Sequence, residues 1–199
     1  MAAGYASRFG ATKQLAVFDG VPLVQHAIAA ARQVFGGKLL TVLGHDSAAV
    51  AGALGPDAGF AVVNDDYARG LGGSIARAAN ALAGDADAIV VLLADQPMIT
   101  ARHLAALKDA WSGAADEIVA TAFADTCGPP VLFPRDCFDE LAALQGDSGG
   151  RHLLENDRFA VKRIIFEGAA VDIDNPADLD VAVAGGLFVD HRGAQRSES

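Results

Sequence analysis

The sequence has few cysteines, little positive charge and no long apolar run, and each of these features argues against a class of protein. Its 199 residues include two cysteines, which suggest no disulfide framework and fit a reduced, cytoplasmic location. Lysine and arginine number 15 against 25 aspartates and glutamates, and no basic cluster is present. This balance argues against nucleic acid or an anionic membrane as a partner. The longest apolar run, Ala88 to Ala94, is far shorter than the roughly 20 residues that cross a bilayer, and we expect no secretory signal.

Helical and strand-like segments alternate along the chain. Strands are predicted at 38–44, 60–65, 88–94, 117–123, 130–133, 161–166 and 170–173. Helices are predicted at 22–35, at 46–54 with Asp46 as N-cap, at 74–84, at 101–111, near 135–144, and after Asn175 as N-cap with Pro176 in the first turn. The alternation predicts an α/β layer fold with a largely parallel sheet. We expect one domain over 1–189 and a disordered polar tail over 190–199.

The opening segment, "MAAGYASRFGATKQL", reads as a ligand-binding loop of unusual type. It lacks the GxxxxGK[ST] phosphate-binding motif, and the later "GLGGSI" lacks the last glycine of a GxGxxG dinucleotide motif. Small residues at 2–4 would let the backbone approach a ligand closely, and Ser7, Arg8 and Lys13 could hold a triphosphate. The alternative is an ordinary glycine turn with two exposed cations.

Acidic residues follow two of the predicted strands. Asp95 comes directly after the buried strand at 88–94, and ligands of open parallel sheets bind beyond the carboxyl ends of strands. A carboxylate there could hold Mg²⁺, or it could be a turn or N-cap residue. Asp172 and Asp174 lie on one face of an extended segment, so their like charges require either a cation or exposure to solvent.

Seven blocks along the chain form a recognisable series: "MAAGYASRFGATKQL", "GVPLVQHAI", "NDDYARGLGGSI", "VVLLADQP", "GPPVLF", "GDSGGRHLL" and "VDIDNPADL". Together they resemble the blocks of the MobA/MocA-like nucleotidyltransferases. Their order is that of the family, and they span Ala2 to Leu179. The sequence is most similar to the branch of molybdenum cofactor cytidylyltransferases, because Ala2-Ala3-Gly4 and "DQP" resemble that branch more than the branch that uses GTP. A methyl group at Ala3 leaves less room for a purine.

This resemblance implies a Rossmann-like three-layer fold with a mixed, mostly parallel sheet. It implies transfer of CMP from CTP to Mo-molybdopterin with Mg²⁺, releasing pyrophosphate and leaving molybdopterin cytosine dinucleotide. An apo molybdenum hydroxylase or its chaperone is a further implied partner. The residues carried over are Ala2, Ala3, Gly4, Ser7, Gly10, Gly70 and Ser74 for the nucleotide; Arg8, Lys13 and Asp95 for catalysis; Asp95, Asp172 and Asp174 for the metal; and Gly128, Pro130, Asp147 and Arg151 for the second substrate.

Three alternative functions fit the sequence, and one feature departs from the family pattern. The chain could use GTP or another phosphorylated acceptor, it could be an NAD(P)H-dependent oxidoreductase on the same fold, or it could be an inactive protein that delivers finished cofactor. The departure is that relatives have an apolar strand before the first loop, whereas this sequence begins at the loop. We therefore expect the first strand to be missing here and the natural chain to begin some residues earlier.

Overall fold

The computed structural model describes residues 1–4, 9, 11–175 and 177–179. The strands are β1 (Val17–Phe18), β2 (Val21–Pro22), β3 (Thr41–Leu43), β4 (Ala61–Val63), β5 (Ala88–Val91), β6 (Glu117–Phe123), β7 (Thr126–Pro134) and β8 (Ala160–Ile165). The helices are α1 (Leu23–Phe35), α2 (Ser47–Leu54), α3 (Leu71–Leu82), α4 (Ala101–Ala110), α5 (Phe138–Ala142) and α6 (Arg151–Leu154). The predicted tail at 190–199 and Pro176 lie outside the described residues.

The main sheet is mixed and mostly parallel in strand direction, as the sequence predicts, because β5, β6 and β8 point the same way and β7 points the opposite way. Its strand order is β5-β7-β6-β8. β7 runs antiparallel to both β5 and β6, and β6 and β8 are parallel. β3 and β4 form a separate parallel pair. The carboxyl ends of β5, β6 and β8 therefore lie at one edge of the sheet, where α/β proteins bind ligands.

Residues 1–3 connect the parallel pair to the main sheet. The Ala2 nitrogen donates to the Val42 carbonyl at 2.9 Å. On the other side, the Met1 nitrogen donates to the Leu92 carbonyl at 2.6 Å, and the Ala94 nitrogen donates back to the Met1 carbonyl at 3.1 Å. Residues 1–3 thus hydrogen-bond to the segments on both sides, with one parallel bridge between Ala2 and Leu43. This places the small residues of the first loop next to the end of β5.

The two faces of the main sheet bury two hydrophobic clusters, which gives the three layers. On β6, Ile118 and Ala120 belong to the cluster under α3, α5 and α6, whereas Val119 belongs to the cluster under α1 and α4. On β7, Phe133 and Leu132 divide in the same way. This alternation is the period-two pattern of a strand covered on both faces. Each large apolar side chain buried there contributes about 1.5–3 kcal/mol to folding.

The predicted strand at 170–173 is wrong. Residues Glu167–Ala170 form a single 3₁₀ turn, and the segment that follows crosses to Asp95, whose carbonyl accepts from the Ile173 nitrogen at 3.0 Å. The buried Ile173 side chain anchors the segment, which leaves Asp172 and Asp174 exposed on either side. The predicted sharing of one face by the two aspartates holds although the strand does not form, because an extended segment alternates its side chains with or without sheet partners.

Two helices begin after the predicted N-cap residue, and one begins earlier than predicted. Asp46 precedes α2, but its φ of 53° is left-handed and its carboxylate accepts from the Thr12 hydroxyl instead of capping the helix. α3 begins at Leu71, three residues before the predicted start, because Gly72 permits close packing of the first turn on the loop at 145–148. Asn175 is an N-cap as predicted, and its Oδ1 accepts from the backbone nitrogen of Ala177 at 2.9 Å. Among the described residues, no helix is long and apolar enough to span a membrane.

Candidate active site

Lys13 is the centre of an ion-pair network at the ligand-binding edge of the sheet. It lies in a 3₁₀ turn (Lys13–Leu15), and only 9% of the residue is exposed. Its Nζ lies 2.7 Å from Asp95 Oδ2 and 2.8 Å from Asp174 Oδ1. Burial disfavours the charged form, but attraction to Asp95 and hydrogen bonds to both carboxylates outweigh it and raise the pKa of Lys13. Lys13 is therefore a cation at neutral pH, held by carboxylates on two different segments.

Asp95 has one carboxylate oxygen engaged and one without a partner. Oδ2 pairs with Lys13, whereas Oδ1 is buried and has no hydrogen-bond partner among the described residues. A buried carboxylate oxygen without a donor is costly unless a cation approaches it. Oxygen ligands of this kind suit a hard divalent cation such as Mg²⁺ or Mn²⁺.

Asp172 is the second carboxylate that a cation at Asp95 could use. Partial desolvation and the negative charge of Asp95 raise the pKa of Asp172, although the residue as a whole is exposed and Gln96 donates a hydrogen bond to it. Carboxylates whose charges repel each other in this way are stabilised by a cation between them. Within the described ranges, no group of three or more acidic, histidine or cysteine side chains is assembled to hold a metal. This is compatible with Mg²⁺, which uses one or two carboxylates and completes its shell with water and substrate phosphates.

The predicted nucleotide loop is partly described. Ala2 and Ala3 are buried, whereas Gly4 is exposed and its carbonyl accepts from Gln14 Nε2 at 2.8 Å. The Ala3 carbonyl faces the next turn of backbone, where a side chain at Gly44 would lie only 2.5 Å from it. The Ala3 backbone is therefore closely packed against the turn at Gly44. Ser7, Arg8 and Gly10 lie outside the described residues, and their roles remain predictions.

Gly70 joins the predicted nucleotide side to the predicted second-substrate side. Its φ of +114° is one that L side chains rarely adopt, and a Cβ there would lie 2.3 Å from the backbone of Gly146. The Gly72 nitrogen donates to the Gly146 carbonyl at 2.8 Å. A Cβ on Gly70 would also lie 2.5 Å from Asp147 Oδ1, so two blocks far apart in sequence meet directly.

The remaining predicted residues divide between buried and exposed positions. Ser74 is buried, and its hydroxyl accepts from Asn64 Nδ2 at 3.0 Å. Pro130 is buried in β7, where its carbonyl accepts from the Thr121 hydroxyl at 2.7 Å. Gly128 pairs with Thr121 across a register shift in β6. Arg151 begins α6 with an exposed side chain and pairs with Glu155. Pro130 is thus part of the sheet, whereas Arg151 is accessible to a ligand.

Three buried amide side chains around the site have no counterpart in the sequence-based prediction. Gln14 and Gln96 each have a buried Oε1 without a hydrogen-bond partner among the described residues. Asn64 is buried at the end of β4 and holds Ser74. A buried amide oxygen without a donor is unfavourable, so these oxygens are candidates for ligand contacts. The sequence offered one signal, the "ND" that follows the apolar residues of β4, but burial cannot be read from it.

Comparisons with known proteins identify the family of the chain. Residues 1–162 match the family described as MobA-like NTP transferase domain. The chain is 34% identical over 99 residues to the Purine catabolism protein PucB of Bacillus subtilis (strain 168), a match that covers 48% of this chain and 47% of that protein. The chain therefore spans about half the length of this curated relative.

Solved structures cover nearly the whole chain. The crystal structure of Rv0371c from Mycobacterium tuberculosis H37Rv superposes with a TM-score of 0.80 at 30% identity, covering 92% of this chain and 95% of that one. A structure of the same protein in complex with manganese gives a TM-score of 0.75 at 29% identity, covering 90% and 94% of the two chains. With the family match over most of its length and this shared architecture, the chain belongs to the MobA-like NTP transferase domain family and is a nucleotidyltransferase.

Proposed function

We propose that this nucleotidyltransferase transfers CMP from CTP to the phosphate of Mo-molybdopterin, with Mg²⁺ as the metal ion. The observation that carries the proposal is the Lys13–Asp95 ion pair with its unpartnered Asp95 Oδ1, at the edge of the sheet where nucleotides bind. The products would be molybdopterin cytosine dinucleotide and pyrophosphate. An apo molybdenum hydroxylase, or its chaperone, is the recipient that this function implies.

The residues at the site fit a divalent cation. Asp95 and Asp172 would hold it, since one oxygen of Asp95 lacks a donor and the pKa of Asp172 is raised by desolvation and by the charge of Asp95. Bound Mg²⁺ would offset the negative charge that develops on the phosphates during transfer. The manganese in the solved structure of Rv0371C supports a divalent ion in this family.

The side chains of the chain itself supply charge and position. The acceptor's phosphate is already anionic at neutral pH, so the reaction requires no strong general base. The difficulty is to bring two anions together, which favours catalysis by positioning and electrostatics. Lys13 remains protonated because its pKa is raised, and its ammonium group can offset phosphate charge. Asp174 holds the Lys13 ammonium and is therefore a positioning residue in this proposal, with metal ligation as its alternative role.

The close packing of the first loop supports a pyrimidine base in this proposal. Ala2 and Ala3 are only 2% and 5% exposed, and the Ala3 carbonyl is enclosed by the backbone at Gly44. A backbone held this closely cannot move aside for a larger base, which supports a pyrimidine over a purine.

The experiment is thermal unfolding with CTP, GTP, ATP and NADPH, each with and without Mg²⁺. A ligand at 100 times its dissociation constant adds about 2.7 kcal/mol to stability, which should raise the midpoint by roughly 5–10 °C at this chain length. A magnesium-dependent increase with CTP, followed by pyrophosphate release on addition of molybdopterin, is the expected result. An increase with GTP alone would move the proposal to a guanylyltransferase, and an increase with NADPH alone would refute it.

A further inference from the structure

A cavity lies between the β6–β7 hairpin, α6 and β8, apart from the Lys13–Asp95 network. Its volume is about 450 Å³, within the range of roughly 300–1,000 Å³ that small-molecule sites occupy. Its walls combine apolar, sulfhydryl and charged side chains. The lining includes Phe123, Cys127, Leu154, Val161, Arg163 and Ile165.

The cavity lies at the same edge of the sheet as Asp95. β5 and β6 both run antiparallel to β7, so the end of β6 at Phe123 faces the same way as the end of β5, which leads to Asp95. The 3₁₀ turn after β8 supplies a second connection. Glu167 lines the cavity, and two residues later the Ala169 carbonyl accepts from Gln96 Nε2 at 3.1 Å. A ligand in the cavity therefore occupies the same end of the molecule as the proposed transfer site.

The charges that line the cavity favour a neutral ligand over an anion. The carboxylates of Asp125, Glu155 and Glu167 outnumber the guanidinium groups of Arg151 and Arg163. Arg151 is already paired with Glu155, Nε to Oε1, at 3.2 Å. Arg163 makes no salt bridge within the described part of the chain. The walls thus offer a free donor fork beside carboxylate acceptors, which suits a polar ring that presents both carbonyl oxygens and N–H groups.

The apolar part of the lining indicates that this ring is planar. Val161, Arg163 and Ile165 alternate along β8, so their side chains share one face of the sheet. Ile165 is 78% exposed, which is unusual for a large apolar side chain and leaves a hydrophobic surface beside the Arg163 guanidinium. A flat heteroaromatic ring covers such a surface with its face, and a guanidinium group can stack on or hydrogen-bond to the same ring.

We propose that this cavity binds the ring end of the acceptor, a planar nitrogen heterocycle with an exocyclic amine, and that Arg163 is a specificity-determining residue for it. The inference rests on the proposed function, since it treats the acceptor as a ring attached to the phosphate that reacts near Asp95. Arg163 donates to the ring carbonyl or stacks on its face, Ile165 covers the ring, and Glu155 and Glu167 accept from its N–H groups.

The test is fluorescence quenching of 6-hydroxymethylpterin by the full chain, with CTP binding in the presence of Mg²⁺ measured in parallel by calorimetry. We expect saturable quenching by the wild type and a dissociation constant at least tenfold higher for Arg163→Ala, because a hydrogen bond from a charged donor is lost. Ile165→Ser, at an exposed position that tolerates a polar residue, should also weaken pterin binding. The matched control is Arg102→Ala, an exposed arginine on α4 on the other side of the sheet.

The two measurements separate failure of this inference from failure of the proposed function. Normal CTP binding without saturable quenching by the pterin, up to its solubility limit, overturns the cavity assignment alone. Unchanged pterin binding in Arg163→Ala also overturns it, as does an equal loss of CTP and pterin binding in that variant. Absence of CTP binding by the wild type refutes the proposed function itself. Weaker pterin binding in both cavity variants, with CTP binding and the Arg102→Ala control unchanged, supports the inference.

Discussion

Asp95→Asn is the substitution that most directly tests the proposed chemistry. It retains the shape of the side chain and removes one negative charge at the point where Oδ1 lacks a partner and Oδ2 contacts Lys13. An amide is a poor ligand for a hard cation compared with a carboxylate, so metal binding should weaken sharply. We expect turnover to be lost while the fold is retained.

The expected magnitudes differ between activity and stability. Charge stabilisation by a bound metal contributes several kcal/mol to the transition state, and at 1.4 kcal/mol per tenfold a loss of about 4 kcal/mol lowers turnover by roughly 1,000-fold. In Asp95→Asn the fold loses the attraction between Lys13 and Asp95, which lowers the free energy of unfolding. Lys13 keeps its ion pair with Asp174, and the repulsion between Asp95 and Asp172 disappears, which offsets part of that loss. Because these effects oppose one another at a partly exposed site, we expect a change in unfolding free energy within about 1 kcal/mol.

The assay is pyrophosphate release at saturating CTP, Mg²⁺ and molybdopterin, with urea unfolding of the same samples. Asp109→Asn is the matched control, since Asp109 is an exposed aspartate on α4, on the far side of the sheet. Turnover by Asp95→Asn within threefold of the wild type would refute the assignment of Asp95 to the metal. A loss of turnover that accompanies global unfolding would instead show that Asp95 maintains the fold.

Three further predictions concern the cation, the close loop contact and a buried histidine. Lys13→Met leaves two carboxylates without their cation, so urea unfolding should show a free energy of unfolding lower by about 1–2 kcal/mol. Pyrophosphate release should be at least about 100-fold slower. Unchanged kinetics would contradict the role of Lys13. Gly70→Ala places a side chain on a backbone with a φ of +114° and against the loop at Gly146, so it should lower the free energy of unfolding by about 1–3 kcal/mol or more. Gly84→Ala is the control, because a Cβ there meets open space, and it should leave the free energy of unfolding in urea unchanged. Burial lowers the pKa of His103 to about 4. Because the fold favours the neutral form of His103, the stability that it contributes is present above pH 6.5 and is lost as the pH falls towards 4, by up to about 3 kcal/mol. His103→Gln should reduce the change of unfolding free energy with pH over this range. An equal change in both proteins would contradict the role of His103.

Local patterns carried much of the fold. The apolar run after Asp87 predicts β5, and the spacing of apolar residues after Pro22 predicts α1, because burial on one face or on both imposes a period that can be read from the sequence. The predicted strand at 170–173 failed for a nonlocal reason. Its extended backbone is held by the carbonyl of Asp95 instead of a neighbouring strand, and no local pattern encodes that partner.

At the candidate site, too, local sequence patterns were informative and contacts between distant segments could not be predicted. Residue type and position identified Lys13, Asp95 and Asp172 as candidates for phosphate and metal chemistry. That Lys13 bridges Asp95 and Asp174 could not be foreseen, because the distance between residues 161 positions apart depends on how the whole sheet assembles. The buried amides and the cavity beside Arg163 were likewise invisible, since burial depends on which elements cover a residue.

The sequence by itself determined the layer architecture, the family and the chemical types at the active edge, because periodicity, turn residues and motif order are local properties. Only the tertiary structure decided which of those groups meet. It paired the buried ammonium group with two carboxylates, left one oxygen of Asp95 without a donor, and packed Gly70 and Gly72 against the loop before α6. These outcomes depend on distances through space, where a displacement of a few ångströms decides whether two groups form an ion pair or never meet.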